Sequence, residues 1–263
     1  MTNPIELLSL AHRLAQEAGQ LLLDGLAAAR VLATKSTLTD MVSTMDGASE
    51  RHIVDGILAA RPDDGIVGEE GTDHAGTSGV RWIIDPLDGT TNYLYAVPAY
   101  AVSIAVEVHG IVVAGVVADP SHRETFAATL GGGATCNGTP IACGTERLLA
   151  HALVGTGFSY DAARRTRQGA VVAQVLPVAR DVRRFGAAAL DLCWVGCGRL
   201  DAFYEKGLQP WDLAAGVLIA SEAGATTGDL GGGPASSEFT VASVPAVFND
   251  LRTVLVAAGA QDA

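Results

Sequence analysis

The sequence predicts a two-part α/β protein, with an N-terminal α+β half over residues 1–149 and a C-terminal α/β half over residues 150–263. Apolar runs separated by tight turns fill residues 99–136, as in an antiparallel sheet. From about residue 150, strands alternate with helices, the pattern of βαβ units. With 263 residues, 49% of them hydrophobic, the chain can bury a substantial core, and no linker separates independent domains.

Two helices are predicted at the N-terminus. Asn3-Pro4-Ile5-Glu6 combines a cap, a proline and an acidic first turn, and helical spacing of apolar residues continues to about residue 33. The polar stretch 35–45 is predicted to be a loop. A second helix is expected to open at Asp46 and to stop near Arg61-Pro62.

Strands dominate the middle of the chain. Residues 66–71 are predicted to form a strand that ends in two carboxylates, before a polar loop through residue 79. Because successive strand residues point to opposite faces, only one of Glu69 and Glu70 can face a common site, and Glu69 is the choice. Residues 99–108 and 111–118 predict a hairpin. Further strands are expected at 124–128 and 134–136.

The C-terminal half is predicted from its alternating pattern. Its expected strands are 153–157, 181–185, 200–204 and 239–243. Its expected helices are 161–176, 186–197, 211–223 and 245–257, with a loop at 228–233.

Residues 81–92, RWIIDPLDGTTN, carry the strongest local signal for a functional site. Residues 82–84 are predicted to form a short buried strand, and Pro86 is expected to end it because proline has no ladder N–H. Residues 86–89 favour a turn. The residue types at 90–92 cap helix N-termini, so a strand–turn–helix unit is expected.

This turn combines acidic and anion-binding features. Asp85 and Asp88 can direct two carboxylates into one small volume, which is costly unless a cation joins them. Gly89 lets the backbone approach a ligand, and the first N–H groups of the helix suit a phosphate. The motif therefore indicates Mg²⁺-assisted phosphate chemistry, although these residues alone are equally compatible with a surface turn.

Composition excludes several classes of protein. A net charge of −12 argues against a nucleic-acid binder, and an acidic protein that acts on an anion needs a metal to invert the local potential. No apolar run is long enough to span a bilayer, and no secretion signal is recognisable, so a soluble, cytoplasmic protein without a membrane partner is expected. The four cysteines lack zinc-site spacing and are interpreted as reduced packing thiols.

Three acidic motifs follow one another in the chain: GEE at 68–70, WIIDPLDGTTN at 82–92 and WDLAAG at 211–216. With DMVSTMD at 40–46, RRFGAAALDLC at 183–193 and LDAFYE at 200–205, they resemble the inositol monophosphatase family of Mg²⁺-dependent, lithium-sensitive phosphatases. The resemblance spans nearly the whole chain and is to bacterial inositol-1-monophosphatases of the actinobacterial type. It implies a layered αβαβα sandwich with its site between the two halves, and a homodimer.

The resemblance also implies a set of metal ligands. Glu69, Asp85 and the Leu87 carbonyl would hold the first Mg²⁺, which activates the attacking water. Asp85, Asp88 and Asp212 would hold the second, beside the leaving-group oxygen. Such oxygen ligands are those that Mg²⁺ prefers. A third, weaker ion would also contact Glu69.

Catalytic and substrate contacts follow from the same resemblance. Glu69, Thr90 and Asp46 would be catalytic, with Thr90 and Asp46 orienting the water for direct, in-line hydrolysis. The implied substrate-binding residues are Asp88, Gly89, Thr90, Gly186, Ala187, Ala188, Glu205 and Asp212.

Other interpretations of these residues remain open. Asp46 and Asp212 could each cap a helix, a role compatible with ligation. Glu70 fits a solvated neighbour better than a ligand. Lys35 matches a lysine near the family's site, but a lone loop lysine is usually solvated. The Arg183-Arg184 pair could attract an anion or form surface salt bridges.

The prediction is therefore a Mg²⁺-dependent phosphomonoesterase that hydrolyses the small-molecule ester myo-inositol 1-phosphate. Glu205 favours inositol over the esters used by related phosphatases. Ala187, where relatives often have a hydroxyl residue, and Gln209-Pro210 bear on ring preference and not on metal chemistry. One alternative is a histidinol-phosphate or other small sugar-phosphate phosphatase. Another, of a different class, is a protein-interaction factor of the transcription machinery.

Overall fold

The computed structural model describes residues 3–29, 31–34, 41–146 and 148–263. Its α-helices are α1 (Pro4–Gly25), α2 (Thr44–Ala60), α3 (Thr90–Leu94), α4 (Ala162–Val175), α5 (Ala188–Gly196), α6 (Pro210–Glu222) and α7 (Pro245–Ala257). Its strands are β1 (Val31–Thr34), β2 (Met41–Ser43), β3 (Gly65–Gly68), β4 (Asp73–His74), β5 (Val80–Asp88), β6 (Ala101–Val108), β7 (Ile111–Asp119), β8 (Glu124–Thr129), β9 (Gly133–Cys136), β10 (Thr139–Pro140), β11 (Leu153–Thr156), β12 (Asp181–Arg183), β13 (Ala202–Glu205), β14 (Thr226–Gly228) and β15 (Thr240–Ser243).

The strands form two large sheets and one small pair. The first sheet has the order β10-β9-β8-β7-β6-β5-β3-β4, antiparallel except between β3 and β5. The second has the order β12-β11-β13-β15-β14, and its first three strands are parallel. The predicted antiparallel block and βαβ layout are therefore both present. The division at residue 149 falls between the two sheets and stays a prediction.

Five layers follow from the alternation of side chains along the strands. Trp82 and Ile84 of β5 pack against α1 and α2, whereas Ile83 points to the opposite face, toward α5 and α6. Phe203 of β13 covers the other side of α5 and α6. Val154 of β11 faces away from them and packs with α4 and α7. The result is the predicted αβαβα sandwich.

The first helix is shorter than predicted. It ends at Gly25, and a 3₁₀ turn (Leu26–Ala28) leads into β1. β1 begins where the helix was expected to continue, and it pairs antiparallel with β2, which lies in the stretch predicted to be a loop. Helical periodicity could not reveal this end, because the backbone groups of β1 are satisfied by a partner strand further along the chain. Residues 35–40, which include Lys35, lie outside the described part.

The prediction that Pro86 ends its strand is wrong. β5 continues to Asp88, but its register with β6 shifts: Asp85 pairs with Ser103, and Asp88 pairs with Ala101. The advance of three residues along β5, from Asp85 to Asp88, is therefore matched by an advance of only two residues along β6. Pro86 lies in this bulge, where no ladder N–H is needed.

Other differences from prediction concern short strands and element ends. β4, β10 and β14 were not predicted, because strands of two or three residues carry too little periodicity. α5 begins at Ala188 and not at Gly186, whose φ of 90° is incompatible with a helix. The cysteines are free, and Cys193 is buried in α5. No helix within the described ranges is long and apolar enough to cross a membrane.

The first sheet and α6 pack in close contact at Gly115 of β7. A Cβ added there would lie 3.0 Å from the Cα and 3.1 Å from the carbonyl oxygen of Ala215. Gly115→Ala should therefore lower the free energy of unfolding by about 1–3 kcal/mol, because it forces two layers apart. Urea unfolding measures this change.

Gly169→Ala is the matched control, since nothing lies within 4 Å of a Cβ added at this α4 position. It should raise the free energy of unfolding by up to about 1 kcal/mol through helix propensity. Equal effects of the two substitutions would contradict the close packing at Gly115.

Candidate active site

The predicted site residues surround one cavity of about 360 Å³, lined by segments of both sheets and their connections. The predicted residues that line it are Glu69, Asp85, Leu87, Asp88, Gly89, Thr90, Gly186, Ala188, Glu205 and Asp212. Asp46 and Ala187 are fully buried and do not line it. The structure thus gathers residues separated by up to 143 positions, from Glu69 to Asp212, around one volume.

The β5 bulge places two carboxylates in this cavity. Asp85 and Asp88 are only 1% and 9% exposed. Burial raises the pKa of both carboxyl groups well above their usual range. The charges of Glu69, Asp88 and Asp212 raise the pKa of Asp85 further, and Asp212 does the same for Asp88. Ionising these groups together therefore requires a compensating cation.

Backbone N–H groups hold the two carboxylates in place. The N–H of Leu87 donates to Asp85 Oδ1 at 3.0 Å, within the bulge itself. The N–H of Ala189, in the first turn of α5, donates to Asp88 Oδ2 at 2.7 Å. This second hydrogen bond ties β5 to α5, and it joins the two walls of the cavity.

Thr90 and Asp46 form a pair behind the bulge. Thr90 Oγ1 lies 2.8 Å from Asp46 Oδ1 and 3.1 Å from the Leu87 carbonyl oxygen. Asp46 Oδ2 accepts the N–H of Ser43 at 2.9 Å, so Ser43 is the N-cap of α2 and Asp46 completes a capping box. The helix therefore opens two residues earlier than predicted. Burial raises the pKa of Asp46 despite these hydrogen bonds.

Glu69 and Glu70 lie beyond the end of β3, in a turn, so the argument from strand alternation does not apply to them. Glu69 nevertheless lines the cavity. The backbone N–H of Glu70 donates to Glu50 Oε2 at 2.9 Å. Sequence analysis gave no role to Glu50.

Asp212 and Glu205 come from the second half of the chain. Asp212 closes a capping box at the start of α6, where its Oδ2 accepts the N–H of Gln209 at 2.6 Å. Glu205 ends β13 and lies against Gly157, where an added Cβ would overlap the Glu205 carboxylate. Burial raises the pKa of Glu205 to about 8, Arg184 opposes the shift, and Asp212 adds to it.

Several cavity residues were missed by sequence analysis, and some of them follow strands of the second sheet: Gly157, Phe158, Tyr160, Gly207 and Leu208. The available signal was their place after the predicted strands β11 and β13, because the carboxyl ends of parallel strands collect ligand contacts. Trp211 also lines the cavity.

The two arginines at 183 and 184 have different surroundings. Arg183 forms an exposed salt bridge with Asp181 at 2.6 Å. Arg184 lines the cavity and lowers the pKa of the nearby Glu205 carboxyl. An anion-attracting role therefore suits Arg184 alone.

The chemistry of the donor set fits Mg²⁺. The cavity lining includes the carboxylate residues Glu69, Asp85, Asp88 and Asp212 and also Leu87, whose carbonyl oxygen is a further candidate donor. Within the described ranges, no three His, Cys, Asp or Glu side chains are arranged to hold a metal ion by themselves. Mg²⁺ does not require such a cage, since it keeps several waters and combines one or two carboxylates with substrate phosphate oxygens.

Comparison with known proteins identifies the family of this chain. The model of the inositol monophosphatase family matches residues 3–261. The chain belongs to this family. The inositol-1-monophosphatase SuhB of Mycobacterium tuberculosis (strain H37Rv) is 44% identical over 234 residues, covering 84% of this chain and 80% of the relative.

Other relatives are similar to this chain over comparable lengths. The Nus factor SuhB of Escherichia coli (strain K12) is 41% identical over 230 residues, 86% of each chain. The crystal structure of the extragenic suppressor protein suhB from Bartonella henselae has a TM-score of 0.90 at 34% identity, covering 95% of this chain and 98% of that one. The fold of this chain is therefore the fold of its solved relatives.

The raised pKa of Glu205 predicts a pH-dependent stability. The folded state keeps a proton up to about pH 8, whereas an unfolded glutamate loses it above about pH 4.3. The stability of the wild type should therefore fall as pH rises through this window. Glu205→Gln has no ionisable carboxyl group at this position and so lacks this contribution to the pH dependence. The melting temperature of the variant minus that of the wild type should therefore increase between pH 5 and pH 8 in EDTA buffer.

Glu238→Gln serves as the control, because it is the same substitution at an exposed position. Its melting temperature should track that of the wild type at every pH. A Glu205→Gln profile parallel to the wild-type profile would contradict the raised pKa.

Proposed function

We propose that this protein is a Mg²⁺-dependent phosphomonoesterase that hydrolyses myo-inositol 1-phosphate to myo-inositol and phosphate. The observation that carries the proposal is the buried pair Asp85 and Asp88, which shares a cavity with Glu69 and Asp212 and lies next to Gly89. Family membership supports the phosphatase chemistry. The name of the mycobacterial relative supports the inositol ester.

The proposed metal ligands are Glu69, Asp85, Asp88, Asp212 and the Leu87 carbonyl. When bound, Mg²⁺ supplies an acidified water and neutralises the charge of the phosphate ester.

The Thr90–Asp46 pair is proposed to orient the attacking water. When the Thr90 hydroxyl donates to Asp46 Oδ1, 2.8 Å away, its lone pairs are free to accept a hydrogen bond from water. Burial of Asp46 and its bond to Ser43 hold this pair in one orientation.

Gly89 is proposed to let the phosphate approach the backbone. Its φ is 89°, and a Cβ there would lie 2.9 Å from the Ala99 carbonyl oxygen and 3.3 Å from that of Gly186. Only glycine suits this position. The N–H groups of Gly89 and Thr90 are the proposed donors to the phosphate oxygens.

Ring recognition is assigned to the opposite wall of the cavity. Glu205, Gly186 and Ala188 line it, and Arg184 lies near the Glu205 carboxylate. A carboxyl group accepts hydrogen bonds from hydroxyls, so this wall suits a polyol. Ala187 was expected to contact substrate, but it is buried behind the wall and its contribution stays a prediction.

Asp88→Asn should lower turnover about 100-fold or more, equivalent to about 2.7 kcal/mol of transition-state stabilisation, because it weakens a metal site. The amide oxygen can still accept the Ala189 N–H, and the substitution removes a carboxyl group whose pKa is raised by burial, so the melting temperature in EDTA buffer should be no lower than that of the wild type. Phosphate release at saturating Mg²⁺ measures the effect. Asp63→Asn, at an exposed position, is the control. Near-normal turnover of Asp88→Asn would reject the metal assignment.

Substrate identity needs a panel of esters. Phosphate release should be compared for myo-inositol 1-phosphate, histidinol phosphate, fructose 1,6-bisphosphate and 3′-phosphoadenosine 5′-phosphate, with Mg²⁺ and with EDTA. The proposal expects the highest kcat/KM for the inositol ester and no release in EDTA. Preference for another ester would keep the phosphatase chemistry and reject the role given to Glu205.

A second role is favoured by the names of some relatives. Proteins called Nus factor SuhB are 39–41% identical to this chain. We propose that this chain also acts as a protein-interaction factor of the transcription machinery. Capture of RNA polymerase components by both wild type and Asp88→Asn would support a role independent of catalysis, and capture by neither would reject it.

Three further properties belong to the proposal: a homodimeric state, sensitivity to lithium and a cytoplasmic location. Sedimentation tests the first, and inhibition of phosphate release tests the second. Cell fractionation tests the third.

A further inference from the structure

One face of α2 contacts both chain segments that carry the proposed metal ligands of the first sheet. Asp46, Ser49 and Glu50 lie at helical spacings of three and four residues, so their side chains share one face. All three are buried. Buried polar side chains need partners, and these three find theirs in the turn after β3 and in residues 86–90.

Glu50 binds the turn that follows β3. Its Oε2 accepts the backbone N–H of Glu70 at 2.9 Å. Its Oε1 accepts the N–H of Thr72 at 3.2 Å and the hydroxyl of Thr72 at 2.6 Å. Both oxygens of a carboxylate accept hydrogen bonds, so the Glu50 side chain can accept from all three donors. A side-chain amide cannot, because its nitrogen is itself a donor.

Gly68 allows this close approach. A Cβ at Gly68 would lie 2.5 Å from Glu50 Oε2, a distance that would push the carboxylate away. The turn is also closed by the Gly68 N–H, which donates to the Thr72 carbonyl at 2.8 Å. The N–H of Glu69 donates to the Ile84 carbonyl of β5 at 3.1 Å. The backbone of Glu69 is thus fixed between β5 on one side and Glu50 on the other.

The other two residues of this face hold the β5 bulge. Ser49 Oγ donates to the Pro86 carbonyl at 2.8 Å, next to the Leu87 carbonyl. Asp46 holds Thr90, as described above. The helix α2 therefore sets the distance between the Glu69 turn and the bulge, which are separate in sequence.

We infer that Glu50 is a positioning residue for metal binding: it holds the turn that carries Glu69 in register with the β5 bulge. The inference rests on the proposed Mg²⁺ site. Glu50 does not line the cavity and acts through Glu69. Residues that orient metal ligands typically change metal affinity 10–100-fold when they are replaced.

The test compares Glu50→Gln with Asp55→Asn. Asp55 is an exposed carboxylate on the same helix, so its replacement removes the same charge from α2 without touching the turn. Three quantities are measured: Mg²⁺ affinity by calorimetry without substrate, kcat at saturating Mg²⁺, and hydrogen exchange of the Glu70 and Thr72 amides.

Glu50→Gln should weaken Mg²⁺ binding about 10-fold or more. Its kcat at saturating Mg²⁺ should stay within about threefold of wild type, because the ligands themselves are intact. The amides of Glu70 and Thr72 should exchange faster. Asp55→Asn should match the wild type in all three measurements.

A purely structural role gives a different result. If Glu50→Gln lowers the melting temperature and speeds exchange but binds Mg²⁺ as Asp55→Asn does, the inference is wrong. Should Glu50→Gln fail to fold, Thr72→Val replaces it, because it removes only the hydroxyl that donates to Oε1. Thr72→Val must then weaken Mg²⁺ binding about two- to fivefold, and unchanged affinity overturns the inference.

Failure of the inference and failure of the proposed function remain distinguishable. Wild-type protein that binds Mg²⁺ but releases no phosphate from any ester rejects the proposed function alone, while the calorimetric comparison still decides the role of Glu50. Wild-type protein that binds no Mg²⁺ overturns both.

Discussion

The structure depends on how it accommodates acidic side chains of like charge around one cavity. Asp85 and Asp88 are buried, and their strongest charged neighbours are other carboxylates. Burying an unpaired charge is among the costliest events in folding. The raised pKa values of both groups express that cost. The unfavourable free energy of burying these two carboxylates together is therefore relieved only when they bind protons or a cation. This makes the cavity suited to binding a metal ion.

Three structural features hold the carboxylates of the cavity in place. The bulge in β5 brings Asp85 and Asp88 to the same cavity, and Pro86 fits there because a bulge needs no ladder N–H. The first turn of α5 donates the Ala189 N–H to Asp88, which adds the favourable end of a helix dipole. The buried face of α2 fixes the remaining segments. Each of these features comes from a different layer, so the arrangement depends on three of the five layers of the sandwich.

The sequence predicted much of this and missed specific parts for physical reasons. Side-chain periodicity identified most long helices and strands, and the acidic motifs located the cavity residues, because both signals are local. The bulge at Pro86 and strand β1 depend on pairing with another strand, which the periodicity of the segment itself does not reveal. Glu50 was overlooked because a glutamate within a helix usually faces solvent, and only the tertiary structure shows its three donors.

The two walls of the cavity differ in how strictly the fold constrains them. The wall built on β5 is fixed by the bulge and α2, whereas the opposite wall includes loop residues after β11 and β13, such as Phe158 and Tyr160. Ala187, which was expected to bear on ring preference, is buried and does not line the cavity, and its Cβ lies 3.3 Å from the position of a Cβ added at Gly89. A small residue at 187 therefore preserves the approach of α5 to the bulge. Glu205 and the loop residues after β11 and β13 line the cavity, so these are the positions at which we expect substrate choice to vary while the proposed metal site stays unchanged.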